Sequence, residues 1–142
     1  MPKTLPAMPR IKPCLFALTA MASFTAMTAA PAVAQIKIGV TISSTGPAAS
    51  LGIPEKNAIA LLPREIGGKK VEYVILDDAS DTNTTVTNTR KLIAEEKVDA
   101  IIGSTTTPNS LAMVDVVAEG RTPAISLASS NRIIEPMDAN RA

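Results

Sequence analysis

The chain has 142 residues, of which 46% are hydrophobic and 19% are charged, and its formal net charge is +1. This near balance of basic and acidic residues does not indicate a strongly basic surface that would bind nucleic acid or an anionic membrane. With no histidine and a single cysteine, the chain lacks a disulfide framework and the usual residues of metal and nucleophilic sites, so we expect no enzyme, no metal and no cofactor.

The first 34 residues have the layout of a secretory signal peptide. They hold three basic residues near the start and no acidic residue, continue as an apolar stretch, and close with the small side chains of 32–34. This order predicts export and cleavage. Stable insertion as a membrane anchor is the disfavoured alternative, because Ser and Thr dilute the apolar stretch. Cys14 lies before that stretch rather than just after it, which argues against a lipid anchor. The predicted compartment is the periplasm.

The next segment predicts a strand, a helix and a second strand. Residues 36–42 (IKIGVTI) alternate around β-branched side chains and run into a cluster of turn residues, as a strand and a loop do. The apolar spacing that follows predicts a helix with Pro54 as its first residue, where a missing N–H is tolerated. We expect Pro63 to kink or end this helix, Gly67-Gly68 to form a turn, and residues 70–78 to form the second strand.

Two more helices and two more strands complete the pattern. Asp81 is the expected N-cap of the second helix. The third strand is predicted at 98–103, the third helix at 109–120 with Gly120 as its stop, and the fourth strand at 123–128. Strands that alternate with helices indicate an α/β fold, a doubly wound parallel sheet with helices on both faces. The expected strand order is 2-1-3-4.

The carboxyl ends of these strands are rich in small polar side chains. The second strand ends in Asp77 and Asp78, and the other three end in hydroxyl clusters at 43–45, 104–107 and 129–130. Ligands of open α/β sheets bind outside such strand ends. Hydroxyls beside the free N–H groups of a helix start also form a neutral acceptor for an anion such as a carboxylate. This edge is therefore a candidate site for a small carboxylate.

Other interpretations of these polar residues remain open. Thr107 or Asn109 could serve only as a cap that satisfies N–H groups at the start of the third helix. Asp77 and Asp78 could form a metal or acid-base pair, but adjacent strand residues point to opposite faces, so we expect at least one to be solvated. The loop after the first strand carries neither a P-loop nor a G-x-G-x-x-G motif, and no histidine is present to activate a serine.

Taken together, residues 35–135 resemble the periplasmic leucine/isoleucine/valine-binding proteins, the substrate-binding proteins of branched-chain amino acid ABC transporters. The resemblance rests on the turn at 45–47, on Asp77-Asp78, on the segment around Gly103 and on the strand at Pro123. It implies a type I periplasmic binding fold. It also implies a solute-binding protein that delivers an amino acid or a related small carboxylate or amide to ABC permease subunits. The alternative is a ligand-sensing domain of a receptor or regulator with the same fold.

The resemblance also implies which residues bind the ligand. Thr107 takes the place of the family's carboxylate-binding hydroxyl, and the positions that meet the amino and carboxylate groups fall on Ala128 and Ser130. Leu51 stands where amino-acid-binding members often have an aromatic residue, so leucine is not assumed to be the ligand. The full set of expected ligand-binding residues is Leu51, Thr105, Thr106, Thr107, Ala128, Ser129 and Ser130.

Members of that family have two lobes, whereas this chain reaches Ala142 soon after the fourth predicted strand. We therefore expect residues 35–142 to be a truncated N-terminal lobe, about half of the family's first lobe.

Overall fold

The structure is a computed structural model that describes residues 35–135. The signal peptide predicted at 1–34 lies outside the described residues. The described elements, in chain order, are β1 (Ile36–Ile42), α1 (Ala49–Ala60), β2 (Glu65–Ile66), β3 (Lys69–Asp77), α2 (Thr82–Ala94), β4 (Ala100–Ile102), α3 (Thr107–Glu119), β5 (Ala124–Ile125) and a single 3-10 turn (Asn131–Ile133).

The strands form one sheet in the order β2-β3-β1-β4-β5. Strand β1 runs parallel to β3 on one side and to β4 on the other, and β4 runs parallel to β5. The four predicted strands therefore have the predicted order 2-1-3-4. The sequence did not reveal β2, which pairs with the start of β3 in an antiparallel hairpin. Gly67 and Gly68 close this hairpin with φ values of 57° and 76°, the left-handed conformation that a two-residue turn requires.

Helices cover both faces of the sheet, as predicted. One face packs its buried side chains against α2 and α3 through Leu92, Val98, Ile101 and Met113. The other face packs against α1 through Val40, Ile42 and Ile59. The neighbours Ile101 and Ile102 belong to opposite faces, because successive strand residues alternate in direction. The core is thus two apolar layers separated by the sheet.

Helix α1 begins five residues before the predicted start. It opens at Ala49, and the expected first residue, Pro54, lies inside the helix. The N–H groups of Leu51 and Gly52 both donate to the carbonyl of Ala48. The Ala48 N–H in turn donates to the Ser80 hydroxyl at 3.0 Å. A contact from another loop therefore sets this helix start, which proline placement alone could not show. The helix ends at Ala60, consistent with the stop expected from Pro63.

The ends of α2 and α3 are partly as predicted. Asp81 is the N-cap of α2, and its carboxylate accepts a hydrogen bond from the Thr84 N–H at 2.7 Å. This bond holds the pKa of Asp81 below its ordinary value. Helix α3 begins at Thr107 rather than at Asn109 and stops at Gly120 as expected. The two later strands are shorter than predicted: β4 lacks 98–99 and 103, and β5 is a two-residue strand with exposed side chains.

A contact around Tyr73 joins the chain after α1 to the sheet. The Tyr73 side chain lies on β3 and packs with the α1 side of the core. Its hydroxyl donates to the carbonyl of Pro63 at 3.1 Å. The Arg64 guanidinium lies over the ring, 5.1 Å from its centroid, a distance at which a cation is attracted to an aromatic face.

Candidate functional site

The carboxylate of Asp78 joins the ends of three neighbouring strands. Asp78 directly follows β3 and is fully buried. One of its oxygens accepts hydrogen bonds from the Ser43 hydroxyl at 2.6 Å and from the Ser80 N–H at 3.0 Å. The other oxygen accepts from the Ser104 hydroxyl at 2.6 Å. Since Ser43 follows β1 and Ser104 follows β4, one buried side chain holds this edge of the sheet together.

Asp77 occupies the opposite side of the same strand end and is exposed. It accepts hydrogen bonds from the Thr45 hydroxyl at 2.6 Å and from the Ala79 N–H at 3.0 Å. The expectation that one of the two aspartates is solvated is therefore confirmed. Slight burial raises the pKa of Asp77, but the hydrogen bonds from Thr45 and Ala79 outweigh it and leave the pKa below the ordinary value of 3.8.

The lowered pKa of Asp77 predicts a contribution to acid stability. A carboxyl whose folded pKa lies below its unfolded pKa stabilises the protein above the unfolded value, and the contribution is lost as the pH falls through the folded value. We expect Asp77→Asn to be less stable than the wild type at neutral pH, with the difference shrinking below about pH 4. Denaturant unfolding from pH 2 to pH 7 measures this. A stability difference that is constant across this pH range contradicts the prediction.

Thr45→Ala tests the cause of the lowered pKa of Asp77. The change removes the Thr45 hydroxyl, which donates to the Asp77 carboxylate at 2.6 Å, so the pKa of Asp77 should rise in an NMR titration.

A cleft of about 400 Å³ opens beside these strand ends. Its walls come from α1, from the start of α3 and from the segment after β5. The lining residues are Leu51, Glu55, Thr105, Thr106, Thr107, Leu127, Ala128 and Ser129. Six of the seven residues expected to bind a ligand therefore lie together. The seventh, Ser130, is half-buried and does not line the cleft.

The three threonines of the cleft differ in how their hydroxyls are used. The Thr105 hydroxyl accepts a hydrogen bond from the Ser43 N–H at 2.9 Å and donates its proton to Glu55 at 2.5 Å. It has no second proton for a ligand. Within residues 35–135, the half-buried hydroxyls of Thr106 and Thr107 have no hydrogen-bond partner. These two hydroxyls are free donors on the α3 side of the cleft.

Side-chain capping does not explain the hydroxyl cluster. The N-cap of α3 is Thr106, and its side chain makes no capping hydrogen bond. Asn109 is buried, and its amide nitrogen lacks a partner within the described chain. The interpretation of Thr107 or Asn109 as a simple cap is therefore wrong. The Thr107 side chain instead lies at the cleft wall, beside N–H groups that the first turn of a helix leaves unpaired.

Two residues that line the cleft, Glu55 and Leu127, are absent from the set that the sequence predicts. Glu55 lies four residues after Leu51 on α1, so the two share one face of that helix. The sequence could have indicated this pairing if the helix had been predicted to begin at Ala49 rather than at Pro54. Leu127 directly precedes the expected residue Ala128, and its side chain adds an apolar surface to the cleft.

A second cavity of about 420 Å³ lies between α3, β5 and the 3-10 turn. Its floor is largely apolar and includes Met113, Val114 and Val117. The hydroxyls of Ser110 and Ser126 at its rim hydrogen-bond to each other at 2.8 Å. This cavity contains none of the residues expected to bind a ligand, so the chemistry indicated by the sequence belongs to the first cleft.

Across the described part of the chain, no helix combines the length and apolar character needed to cross a membrane. Over the same residues, no cluster of three or more His, Cys, Asp or Glu side chains is arranged to hold a metal ion.

Comparison with known proteins establishes the family. The family model described as "Periplasmic binding protein" matches residues 35–140. The chain belongs to the periplasmic binding protein family. A curated relative is Leu/Ile/Val-binding protein homolog 7 of Brucella abortus (strain 2308), which is 36% identical over 93 residues. The match covers 62% of this chain and 23% of the relative, so the chain spans about a quarter of the length of the curated relatives it matches.

Two solved structures support the assignment to the periplasmic binding protein family. An extracellular ligand-binding receptor from Rhodopseudomonas palustris HaA2 is 50% identical and has a TM-score of 0.74, covering 76% of this chain and 30% of that one. A solute binding protein of an ABC transporter from Rhodopseudomonas palustris BisB5, in complex with 3,4-dihydroxy benzoic acid, is 32% identical with a TM-score of 0.68 and coverages of 71% and 29%. The expected lobe of a type I periplasmic binding fold is confirmed. These homologues are binding proteins rather than enzymes, and the family is extracytoplasmic.

Proposed function

We propose that the cleft forms one wall of a solute-binding site for an amino acid or a related small carboxylate. In this proposal residues 1–34 direct export to the periplasm, residues 35–142 belong to the N-terminal lobe, and the bound solute is delivered to the permease subunits of an ABC importer. The observation that carries the proposal is the presence of free hydroxyls on Thr106 and Thr107 at the start of α3, facing a cleft of ligand size.

The chemistry of this wall suits an anion. Unpaired N–H groups and the helix dipole make the N-terminus of α3 favourable for negative charge. The hydroxyls of Thr106 and Thr107 can donate to a carboxylate without a competing partner in the described chain. Ser129 adds an exposed hydroxyl from the segment after β5. Of the neighbouring serines, Ser129 rather than Ser130 is therefore the better candidate for a side-chain contact.

The size and apolar parts of the cleft suit a small organic acid. Small-molecule sites commonly span about 300–1,000 Å³, and this cleft is about 400 Å³. Leu51 and Leu127 are both well exposed at its wall, so they offer apolar contact to the remainder of a ligand. The relative named for Leu/Ile/Val binding and the neighbour that holds 3,4-dihydroxy benzoic acid point to amino acids and aromatic acids. Both classes carry a carboxylate.

Thr107→Val tests the carboxylate-binding wall. The change is nearly isosteric but replaces a donor with a methyl group that would face the anion. Hydrogen bonds to charged groups contribute about 1.5–3 kcal/mol, so affinity for a carboxylate should fall roughly 10- to 150-fold. Calorimetric titration of the purified protein with branched-chain amino acids and benzoates measures the loss.

Two controls make this test specific. Thr107→Ser keeps the hydroxyl and should bind within a few-fold of the wild type. Thr87→Val changes an exposed threonine of α2, whose hydroxyl donates to the carbonyl of Asn83, and should leave binding unaffected. Unchanged affinity in Thr107→Val would remove this hydroxyl from the proposed site.

A further inference from the structure

The carboxylate of Glu55 is an unexpected feature of an anion-binding cleft. Among the residues of the described chain that line the cleft, Glu55 carries the only ionisable side chain, and the others are apolar or bear a hydroxyl. An uncompensated acid on the wall of a carboxylate site raises the free energy of a purely anionic ligand, because like charges repel. Its presence therefore calls for a positive group on the ligand.

Glu55 is held in place rather than free in solvent. Its side chain is half-buried, and one of its oxygens accepts the proton of the Thr105 hydroxyl at 2.5 Å. Thr105 is in turn fixed by the Ser43 N–H at 2.9 Å, at the end of β1. This chain of bonds uses one lone pair of one Glu55 oxygen. The remaining acceptor capacity of the carboxylate is available to a donor in the cleft.

The two walls of the cleft have opposite electrostatic character. The α3 wall offers free hydroxyls on Thr106 and Thr107 beside a helix N-terminus, which favours a negative group. The α1 wall offers the fixed carboxylate of Glu55, which favours a positive group. A zwitterion that carries an ammonium near its carboxylate can interact favourably with both walls. A simple carboxylate can interact favourably only with the α3 wall.

We infer that Glu55 is a specificity-determining residue that selects ligands with a cationic amine beside the carboxylate. This inference rests on the proposed solute-binding function. It narrows the ligand class from small carboxylates in general to α-amino acids and related amino carboxylates. In this role Glu55 accepts hydrogen bonds from the ligand ammonium while Thr105 keeps its carboxylate oriented.

Three probes that share the isobutyl side chain of leucine separate the contributions of the two walls. L-Leucine carries both charged groups, isocaproate lacks the amine, and isoamylamine lacks the carboxylate. The wild type should bind L-leucine at least about 10-fold more tightly than isocaproate, as a charge-assisted hydrogen bond predicts. Isoamylamine should bind more weakly than L-leucine, because it loses the contacts of the α3 wall.

Glu55→Gln tests the residue directly. It removes the charge but keeps an oxygen that can accept the Thr105 proton. This variant should bind L-leucine about 10-fold or more weakly and isocaproate no worse than the wild type does, so that the preference for the amino acid is lost. Glu65→Gln makes the same charge change at an exposed position of β2 and should keep the preference. Glu55→Asp, which retains the charge, should keep the sign of the preference if Glu55→Gln does not fold.

The outcomes distinguish failure of the role of Glu55 from failure of the proposed solute-binding function. A preference for L-leucine that survives in Glu55→Gln, or a wild type that prefers isocaproate, overturns the role of Glu55 and leaves the proposed function standing. Thr107→Val should weaken L-leucine and isocaproate alike, which separates the α3 wall from Glu55. If neither the wild type nor the variants bind L-leucine, isocaproate or 3,4-dihydroxybenzoate, the proposed function fails and the inference about Glu55 fails with it.

Discussion

Gly52→Ala should destabilise the protein by about 3 kcal/mol or more and should disrupt the cleft at the same time. A Cβ atom at residue 52 would lie 2.0 Å from the carbonyl oxygen of Ser43 and 2.3 Å from its carbonyl carbon. Both are backbone atoms, so no side-chain rotation relieves the clash. Helix α1 would have to move away from the end of β1, and it carries Leu51 and Glu55 with it.

Gly67→Ala is the matched control for this prediction. A Cβ atom at residue 67 meets nothing within 4 Å, but the residue has a φ of 57°. The substitution should cost about 1 kcal/mol from left-handed strain alone and leave ligand affinity unchanged. Denaturant unfolding and calorimetric titration of both variants provide the comparison. If Gly52→Ala is no less stable than Gly67→Ala, the close approach of α1 to β1 does not limit the fold.

Asp78→Ala should cost about 4 kcal/mol of unfolding free energy, close to the upper range for single substitutions. The change removes the acceptor for three donors, namely the hydroxyls of Ser43 and Ser104 and the N–H of Ser80. Each bond to a charged acceptor contributes about 1.5–3 kcal/mol, and buried donors left unpaired add a desolvation penalty. The sum is less than fully additive because the three bonds share one group.

The neighbouring residue provides the control for Asp78. Asp77→Ala removes a carboxylate of the same size one position earlier, but Asp77 is exposed and its donors can turn to water. We expect Asp77→Ala to cost about 1 kcal/mol or less at neutral pH. Urea unfolding of the two variants measures the difference. Equal losses would show that the buried carboxylate is not what joins the ends of β1, β3 and β4.

Much of the fold could be predicted from local pattern. Residues 36–42 have a strand pattern of alternating β-branched side chains, and the observed strand β1 has the same bounds. Asp81 and Gly120 mark helix ends through chemistry that acts within a few residues of the chain. The alternation of strands and helices predicted a doubly wound parallel sheet, and the order 2-1-3-4 is that of its flavodoxin-like form.

The predictions were less accurate where distant residues decide the structure. The start of α1 depends on the bond from Ala48 to Ser80, which lies 32 residues away in the chain. Pro54 lies inside the helix, so its position does not mark the helix start. The strand pattern at 123–128 is longer than the observed strand β5, because the pattern does not show whether the residues pair along their whole length.

The candidate site could be predicted in outline but not in detail. The hydroxyl clusters at the strand ends located the cleft, and Thr105 to Thr107 lie in its wall. Their spacing did not show that Thr105 is already bonded to Ser43 and Glu55, which come from two other elements. Pairings of this kind depend on how α1 packs against the sheet. No pattern within one segment of the sequence contains that information.

The contact around Tyr73 has a spectroscopic consequence. The chain contains one tyrosine and no tryptophan, so its intrinsic ultraviolet emission reports on a single phenol ring. That ring lies under Arg64, is hydrogen-bonded to Pro63, and is not part of the cleft wall. Its fluorescence should change when the sheet unfolds and the ring loses these neighbours. A ligand bound in the cleft does not contact the ring. Tyr73 fluorescence is therefore a natural optical probe for unfolding that does not respond directly to ligand binding.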